Sequence, residues 1–505
     1  MENSILKLKR DSSMQQKGEH MGGEKQKRDL FKIVVLDDDP TGIQTVHDVY
    51  VYTDWELSTL REAFQEKNRM FYILTNSRSF TVSQTEAVHR TIASRFLSVS
   101  QETGIPFFVI LRGDSTLRGH WLFEPEIMEE VFQQEGKIKV DGEILCPAFF
   151  EGGRFTKNNI HYVEENGEWI PAAETEFAKD ETFGYASSDL TEYVEEKTGG
   201  RVKAEDCITI STELLESEPE DQRLEMLLTG VQKNKKIIVN AVCYSQLERF
   251  CIAFWRAAER GKYFLIRSAA SFVKAVSEMK AKPLLTAKEL LSQQEKFIKH
   301  KNEYSKNGGL IIVGSHVSKT TRQLLKLEDS IYPYCFLEFH IDEMAKEQDL
   351  KRESERVRKL AEQALSWGRD TVIYTSRQVR LAQDKEKSLS LSVKISEFLT
   401  RIVERLQVRP SYLIAKGGIT SSDIGIKGLK VRKAFVIGQA APGISVWMTG
   451  EESRFPGLPY IIFPGNVGTD ETLRQIADNL AIEKEANWKE SIGGTKMSES
   501  NFEYF

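Results

Sequence analysis

The chain has 505 residues, of which 40% are hydrophobic and 29% are charged, and its formal net charge is -6. This length exceeds what one hydrophobic core normally supports, so we expect a globular protein of two or three domains. The mildly acidic balance argues against a nucleic-acid partner, which would require a basic surface, and no apolar stretch approaches the roughly 18 residues of a membrane span.

The first 30 residues are polar and rich in Lys, Glu and Gln, so we predict a loosely docked tail at 1–30. They lack the apolar core of a secretory signal peptide. The five cysteines are odd in number and lack close paired spacing, which fits neither a disulfide framework nor a zinc site. These features predict a cytoplasmic protein.

In the first half of the chain, three short apolar runs each stop abruptly at a polar cluster. Such runs are typical of buried parallel strands, and the clusters are then loops at their carboxyl ends, where open α/β sheets bind ligands. The runs and their clusters are Phe31 to Leu36 before Asp37-Asp38-Asp39-Pro40-Thr41-Gly42, Met70 to Leu74 before Thr75-Asn76-Ser77-Arg78, and Phe107 to Leu111 before Arg112-Gly113-Asp114-Ser115-Thr116-Leu117-Arg118-Gly119.

Two later stretches differ from this pattern. Residues 147–201 contain few apolar runs but many Gly, aromatic and charged residues, among them Arg154 and His161, and long segments of this kind are more often functional or interface-forming than idle. Leucines spaced among Lys, Glu and Gln predict a helix that ends at Gly308-Gly309. We therefore place a first domain at 31–280 and a helical connection at 281–309.

A second set of apolar runs follows, which predicts a second domain at 310–480 and a C-terminal tail at 481–505. The predicted fold class is α/β, with two α/β domains built on mainly parallel sheets. The runs are Leu310 to Val313 before Gly314-Ser315-His316, Thr371 to Tyr374 before Thr375-Ser376-Arg377, Tyr412 to Ala415 before Lys416-Gly417-Gly418-Ile419-Thr420, Ala434 to Ile437 before Gly438-Gln439, and Tyr460 to Phe463 before Pro464-Gly465-Asn466-Val467-Gly468.

The strand-end clusters of the first domain combine carboxylates with arginines. Adjacent carboxylates repel one another, so three together at a strand end call for a cation, a positive side chain or a proton. A carboxylate there could act as a general base or hold magnesium, although Asp-Pro-Thr-Gly is also good turn chemistry. Planar guanidinium groups bind carboxylates or phosphates bidentately, so this combination suits a hydroxylated acid as substrate.

The clusters of the second domain are rich in glycine. Glycines let backbone amides approach phosphate oxygens, and nearby hydroxyls add donors, so two such loops together with Gly314-Ser315 favour a nucleotide. Residues 314–320 contain Lys319-Thr320 but lack the second glycine and the spacing of a P-loop, so that motif is rejected.

From about Lys32 to about Leu473 the chain resembles the four-carbon acid sugar kinase family, whose members phosphorylate erythronate, threonate or 3-oxo-tetronate with ATP. The resemblance rests on five ordered motifs, which are Asp38-Asp39-Pro40-Thr41-Gly42, Asn76-Ser77-Arg78, Asp114-Ser115-Thr116-Leu117-Arg118-Gly119, Lys416-Gly417-Gly418-Ile419-Thr420-Ser421 and Gly465-Asn466-Val467-Gly468.

The resemblance implies an N-terminal domain that binds the sugar acid, a C-terminal domain that binds ATP, and transfer across the cleft between them. Asp39 and Asp38 are the implied catalytic residues, without a decision on which is the base. The implied substrate-binding residues are Asp38, Thr41, Asn76, Ser77, Arg78, Arg112, Asp114, Ser115 and Arg118. The implied nucleotide-binding residues are Ser315, Lys416, Gly417, Gly418, Ile419, Thr420, Gly465, Asn466 and Gly468.

ATP and Mg²⁺ are the cofactors that the resemblance implies. The metal ligands stay unassigned, because Ile419 stands where shorter members of the family often have an acidic residue, and the nearest acid is Asp423. The expected partners are the small-molecule sugar acid and ATP, with no nucleic acid and no membrane. A homodimer is compatible with the sequence, which does not decide the oligomeric state.

Two alternatives stay open at this point. The segment Asp37-Asp38-Asp39-Pro40-Thr41 also fits the opening motif of a haloacid-dehalogenase-like phosphatase, with Asp37 as nucleophile and Asp39 as acid and base. That alternative leaves the Gly-rich loops of the second domain unexplained. The other alternative is a sensor that binds a sugar acid without turnover.

Overall fold

The structure is a computed structural model that describes residues 30–165, 167–217, 222–293, 306–315, 317–340, 347–376, 385–465 and 467–491. The chain divides into two compact units, Met1–Ala281 and Lys282–Phe505. Each unit is α/β, so the predicted fold class is confirmed. Within the described ranges, no helix is both long enough and apolar enough to cross a membrane.

A parallel sheet forms the centre of the first unit. Its strands are β1 (Lys32–Asp37), β2 (Val49–Tyr52), β3 (Met70–Leu74), β4 (Phe107–Arg112), β5 (Gly142–Cys146), β9 (Ile208–Ile210), β10 (Lys235–Val239) and β11 (Phe264–Ser268), and a separate small sheet holds β6 (Arg154–Lys157), β7 (Ile160–Glu165) and β8 (Glu168–Pro171). The order in the large sheet is β2-β3-β1-β4-β11-β5-β10-β9, and all of its pairs are parallel.

Helices connect the strands of the first unit, as parallel pairing requires. The longest, α2 (Val82–Thr103), starts at a capping box in which Thr81 and Gln84 satisfy each other's backbone amides, and it ends at Gly104, which has a left-handed φ of 72°. The helices are α1 (Leu57–Gln65), α2 (Val82–Thr103), α3 (Phe123–Gln134), α4 (Leu190–Lys197), α5 (Thr212–Leu215), α6 (Arg223–Gly230), α7 (Tyr244–Glu259) and α8 (Ala270–Val276).

The three runs predicted in the first half are strands β1, β3 and β4, but five further strands of the large sheet were not predicted. Three of them, β5, β10 and β11, contain charged residues, and the other two, β2 and β9, are only four and three residues long. In β5 and β10, for example, Glu143 and Lys236 form a buried ion pair with Nζ and Oε2 2.5 Å apart. Because the two charges neutralise each other only in the folded sheet, neither strand can be recognised in the sequence as an apolar run.

The stretch 147–201 holds the antiparallel sheet β6-β7-β8 and short 3₁₀ turns. Strand β6 pairs with β7 so that Thr156 lies opposite His161. Aromatic side chains of different strands pack together on this sheet, with the ring centroids of Phe155 and Trp169 4.1 Å apart.

The sheet of the second unit consists of strands β12 (Leu310–Val313), β13 (Cys335–Phe339), β14 (Thr371–Thr375), β15 (Leu413–Lys416), β16 (Lys433–Ala441), β17 (Ile444–Thr449) and β18 (Pro459–Phe463). Their order in the sheet is β13-β14-β12-β15-β18-β17-β16. The first five in this order pair in parallel. Strand β17 is antiparallel to both β16 and β18. The prediction that Ala434 to Ile437 is a parallel strand is therefore wrong, because this run belongs to a hairpin.

The helices of the second unit are α9 (Ala287–Ser292), α10 (Ser318–Glu328), α11 (Glu347–Ser366), α12 (Lys385–Arg405), α13 (Gly418–Asp423), which continues as a π-helical turn at Ile424–Gly428, and α14 (Thr472–Ser491). Helix α14 includes residues 481–491 of the predicted tail. The predicted helix of the connection is observed as α9, but residues 306–309 are not helical, and 294–305 fall outside the described residues.

Candidate functional site

Strands β3, β1, β4 and β11 are neighbours in the sheet, so their carboxyl ends meet at one edge. The Asp37-Asp38-Asp39 segment leaves β1, Arg78 follows β3, and Arg112 ends β4. The structure brings these residues into one network of ion pairs, as the strand-end argument predicts. Their roles toward a ligand stay predictions.

Asp37 is fully buried, with 0% of its side chain exposed, and its Oδ1 lies 3.2 Å from Arg112 Nη1. Burial raises the pKa of Asp37 to about 7, against the opposing charge of Arg112. Residue 42 has to be glycine, since a Cβ there would collide with the Asp37 carboxylate and with Arg112. Asp37 is therefore a buried partner of Arg112, and a ligand cannot contact its carboxylate.

Asp38 is held by Arg78 through a bidentate pair. Arg78 Nη2 donates to Asp38 Oδ1 over 2.6 Å and Nε donates to Oδ2 over 3.2 Å. Asp38 is only 3% exposed, and burial raises its pKa in spite of the opposing charges of Arg78 and Arg267. The side chain of Arg78 is 22% exposed, so it is more accessible than Asp38.

Asp39 is the accessible member of the triplet, with 22% of its side chain exposed. It caps the 3₁₀ turn Pro40–Gly42, and its Oδ1 accepts hydrogen bonds from the amide and the hydroxyl of Thr41 at 2.8 and 2.5 Å. Its Oδ2 lies 3.5 Å from Arg78 Nη1. Burial raises the pKa of Asp39, but Arg78 and Thr41 outweigh that effect and hold the pKa below its usual range. Asp39 is thus an ionised carboxylate at the edge of the cluster.

The loop after β4 forms a second pair, in which Arg118 Nε donates to Asp114 Oδ2 over 2.6 Å. Thr116 Oγ1 donates to the same oxygen. Burial raises the pKa of Asp114, but the charges of Arg78 and Arg118 hold it well below its usual range. Arg118 also lies over the ring of Phe177, with 5.1 Å from Cζ to the centroid. The salt bridge between Arg118 and Asp114 is therefore present, and Arg118 keeps 30% of its side chain exposed.

The remaining predicted residues of this unit lie in the same loops. Asn76 has a left-handed φ of 56° and precedes the 3₁₀ turn that carries Ser77 and Arg78. Ser115 is buried, and its carbonyl accepts a hydrogen bond of 2.7 Å from His161 Nε2. The structure thus places Thr41, Asn76, Ser77 and Ser115 beside the charged cluster.

Arg267 and Glu124 belong to the cluster, although the sequence did not single them out. Arg267 Nη1 donates to Glu124 Oε2 over 2.6 Å, and its Nη2 lies 3.9 Å from Asp38 Oδ2. Glu124 accepts a further hydrogen bond of 2.8 Å from Ser77 Oγ. A Cβ at Gly113 would collide with the Arg267 guanidinium, which explains the glycine after β4. The run Phe264 to Ile266 that stops at Arg267 carries the same signal as the three predicted runs.

In the second unit, β12, β15 and β18 are neighbours, and the predicted nucleotide loops follow them. Ser315 lies between the other two loops: a Cβ at Gly417 would be 3.1 Å from Ser315 Cβ, and one at Gly465 would be 3.4 Å from Ser315 Oγ. Gly417 has a φ of 123°, which side-chain-bearing residues rarely adopt. Gly418 and Thr420 follow in α13, and Gly468 has a φ of 80°.

Two of the residues that were predicted to bind the nucleotide are not described completely by the structure. Asn466 lies outside the described residues, and so does the side chain of Ile419. The other loop residues converge at the carboxyl ends of three adjacent strands, where small residues leave backbone groups accessible.

Lys416 lies beneath these loops with its side chain fully buried. Its Nζ donates to the carbonyls of Pro464 and Gly465 at 2.5 and 3.1 Å and lies 3.9 Å from the centroid of the Phe463 ring. Burial lowers the pKa of Lys416 to about 7, with a further contribution from the charge of Lys319. The geometry makes Lys416 a support of the Pro464-Gly465 backbone.

Among the residues that the structure describes, no group of three or more His, Cys, Asp and Glu side chains could hold a metal ion. Asp423, the acid nearest to the Gly417 loop in sequence, is bound by Ser396 Oγ at 2.8 Å and by Lys427 Nζ at 2.7 Å. No residue of the described chain is therefore assigned to a metal.

Solved structures share this fold at low sequence identity. A protein of Salmonella typhimurium LT2, provisionally named a tRNA synthase, is 15% identical with a TM-score of 0.64, and the match covers 88% of this chain and 98% of that one. A Haemophilus influenzae protein of the family DUF1537 is 16% identical with a TM-score of 0.59, covering 89% of this chain and all of the other.

Family comparisons are more specific. No functionally curated protein matches the chain. The family model of a sugar-binding N-terminal domain matches residues 33–276, and that of a nucleotide-binding C-terminal domain matches residues 310–473. The two matches cover most of the chain in the order that the sequence motifs predict, and they show that the chain belongs to the four-carbon acid sugar kinase family.

Proposed function

We propose that the protein transfers the γ-phosphoryl group of ATP to a hydroxyl of a four-carbon sugar acid of the tetronate or 3-oxo-tetronate type. The observation that carries the proposal is the partly exposed Asp39–Arg78 pair at the sheet edge, which lies within the residues that match a sugar-binding domain. The carboxylate can receive the proton of a hydroxyl, and the guanidinium offsets negative charge that would otherwise repel an acid.

In this mechanism Asp39 accepts a hydrogen bond from the reacting hydroxyl and takes its proton as the bond to phosphorus forms. Its lowered pKa keeps the carboxylate ionised and ready to orient the hydroxyl. Phosphoryl transfer passes through a loose transition state, so orientation and charge neutralisation supply most of the rate. Arg78, which pairs with both Asp38 and Asp39, keeps the two carboxylates from repelling each other.

The nucleotide is assigned to the second unit, whose matched domain is nucleotide-binding. The backbone amides at Gly418, Gly465 and Gly468 and the hydroxyls of Ser315 and Thr420 are the groups that would face phosphate oxygens. The Gly417 amide already donates to the Phe463 carbonyl over 2.8 Å, so the contribution of Gly417 is the close approach that its missing side chain allows. Mg²⁺, when bound, neutralises phosphate charge. Such ions are usually held by substrate phosphates with one or two carboxylates and several waters, so we propose that it enters with ATP.

The buried position of Asp37 disfavours the phosphatase alternative. A nucleophilic carboxylate must reach the phosphorus atom, yet Asp37 is 0% exposed and is enclosed by Gly42 and Arg112. The sensor alternative differs from the kinase only in turnover, so activity decides between them. The cytoplasmic location and the homodimer stay predictions.

Purified protein with MgATP and a panel of erythronates, threonates and their 3-oxo derivatives is expected to release ADP with at least one acid. Mass spectrometry should then find that acid increased by one phosphoryl group. Binding of an acid without ADP release would favour the sensor. Phosphate release from phosphorylated acids, with no ADP formed, would contradict the proposed kinase activity and would support the phosphatase alternative.

The Lys416→Met variant is expected to raise the KM for ATP about tenfold or more, with the KM for the acid unchanged. Methionine fills the apolar part of the site but leaves the Pro464 carbonyl without its donor and the Gly465 carbonyl with Thr320 Oγ1 alone, so the loop loses support. Initial rates at a saturating concentration of the other substrate measure both constants. The exposed Lys326→Met variant, on α10, provides the control. Equal changes in the two KM values would contradict the assignment of this loop to ATP.

A further inference from the structure

Four arginines around the carboxylate cluster are already paired with carboxylates of this chain. A substrate carboxylate arriving there would meet guanidinium groups whose charge is largely compensated, which weakens the attraction between them. These pairs are Arg78 with Asp38, Arg112 with Asp37, Arg118 with Asp114 and Arg267 with Glu124.

Arg154, the first residue of β6, is different. Its Nη1 donates to the carbonyl of Gly152, its Nε is buried without a hydrogen-bond partner, and no carboxylate of the described residues forms an ion pair with it. A guanidinium carries five N–H donors, so most of its capacity is unused. Arg154 is half-buried, and desolvating a cation without a counter-charge is unfavourable, so an anion from outside would complete the site.

The position of Arg154 relative to the cluster is fixed by His161. His161 Nε2 donates to the Ser115 carbonyl over 2.7 Å, and its Nδ1 accepts a hydrogen bond of 3.0 Å from Thr156 Oγ1. These contacts join the β6–β7 hairpin to the Asp114 loop. The charge of Arg154 consequently acts on Asp114 and on Arg118.

The pKa values of two arginines illustrate the difference in pairing. Burial lowers the pKa of both Arg154 and Arg112, but Asp37 more than compensates at Arg112, whose pKa ends above its usual value. At Arg154 the compensation from Asp114 and Glu165 is too small, and the pKa stays lowered.

We propose that Arg154 binds the carboxylate of the sugar acid and thereby makes the enzyme select acids over uncharged polyols. This inference rests on the proposed function and adds a specificity residue to it. In this proposal the β6–β7 hairpin positions Arg154 beside the Asp114 loop. The four paired arginines neutralise the carboxylates that orient the hydroxyls of the substrate.

The test compares wild type with Arg154→Ala and Arg154→Lys, using the acid identified in the ADP-release panel and erythritol, a four-carbon polyol without a carboxylate. Arg154→Ala is expected to raise the KM for the acid about 10- to 100-fold, with the KM for ATP unchanged. The preference for the acid over erythritol should fall by the same factor. Arg154→Lys keeps the charge but loses the bidentate geometry, so an intermediate effect is expected.

The control is Arg201→Ala, an arginine of the same unit that is 64% exposed and pairs with Glu126. It should leave both KM values and the preference unchanged. If wild type phosphorylates the acid and neither Arg154 variant changes the acid KM or the preference, the role of Arg154 is overturned while the kinase stands. If wild type shows neither ADP release nor thermal stabilisation with any acid, both proposals are overturned. Should Arg154→Ala fail to fold by circular dichroism, Arg154→Lys decides.

Discussion

The Asp39→Asn variant is expected to lose about 100-fold or more in kcat while its melting temperature stays close to that of wild type. Asparagine is as good a cap as aspartate, so its Oδ1 can still accept both hydrogen bonds from Thr41. Arg78 keeps its bidentate pair with Asp38. The substitution therefore removes the charge and the basicity of residue 39 with little change to the fold.

Steady-state kinetics with the acid and ATP both saturating measures this effect on kcat, and thermal unfolding measures the stability. Asp206→Asn provides a matched control, because Asp206 is an exposed aspartate of the same unit that pairs only at the surface with Lys235. Turnover of Asp39→Asn at the rate of the control would remove Asp39 from the mechanism. A large fall in melting temperature would show instead that its contacts are chiefly structural.

The strand ends of the first unit were predictable because a buried parallel strand has a simple signature. An apolar run that stops at a polar cluster locates the strand and its carboxyl end together, so the sequence alone predicts that Asp37, Arg78 and Arg112 meet. Which carboxylate is accessible was not predictable, because the exposure of Asp39 and the burial of Asp37 depend on how Gly42 and Arg112 pack.

Other parts of the site depend on contacts between residues that are far apart in the sequence, and no single segment of the sequence reveals such contacts. Glu124 lies in the first turn of α3, and its role comes from Arg267, which is 143 residues away. Arg154 is distinctive because none of the carboxylates in the described part of the chain forms an ion pair with it. For Lys416 the sequence predicted a nucleotide ligand, but the depth of its amine below the Pro464-Gly465 backbone follows from packing. The hairpin of β16 and β17 was missed because its apolar residues lack the alternation of a half-exposed strand.

The Arg118→Ala variant is expected to raise the KM for the acid about tenfold or more and to change the KM for ATP much less. Arg118 compensates the charge of Asp114 across 2.6 Å. The charge of Arg78 and the hydrogen bond from Thr116, which also lower the pKa of Asp114, remain in the variant, so we expect the carboxylate to stay ionised. An uncompensated carboxylate then repels the anionic substrate. The glycine-rich loops of the second unit, to which we assign the nucleotide, contain neither residue, so we expect little change in the KM for ATP.

The double variant Asp114→Asn/Arg118→Ala separates this explanation from a direct contact between Arg118 and the substrate. If Arg118 acts by neutralising Asp114, the double variant should bind the acid no worse than Asp114→Asn alone, because the charge that repels the acid has gone. If Arg118 itself holds the acid, the two losses should add. An increase in KM confined to ATP in Arg118→Ala would contradict both explanations and would place this loop outside the acid site.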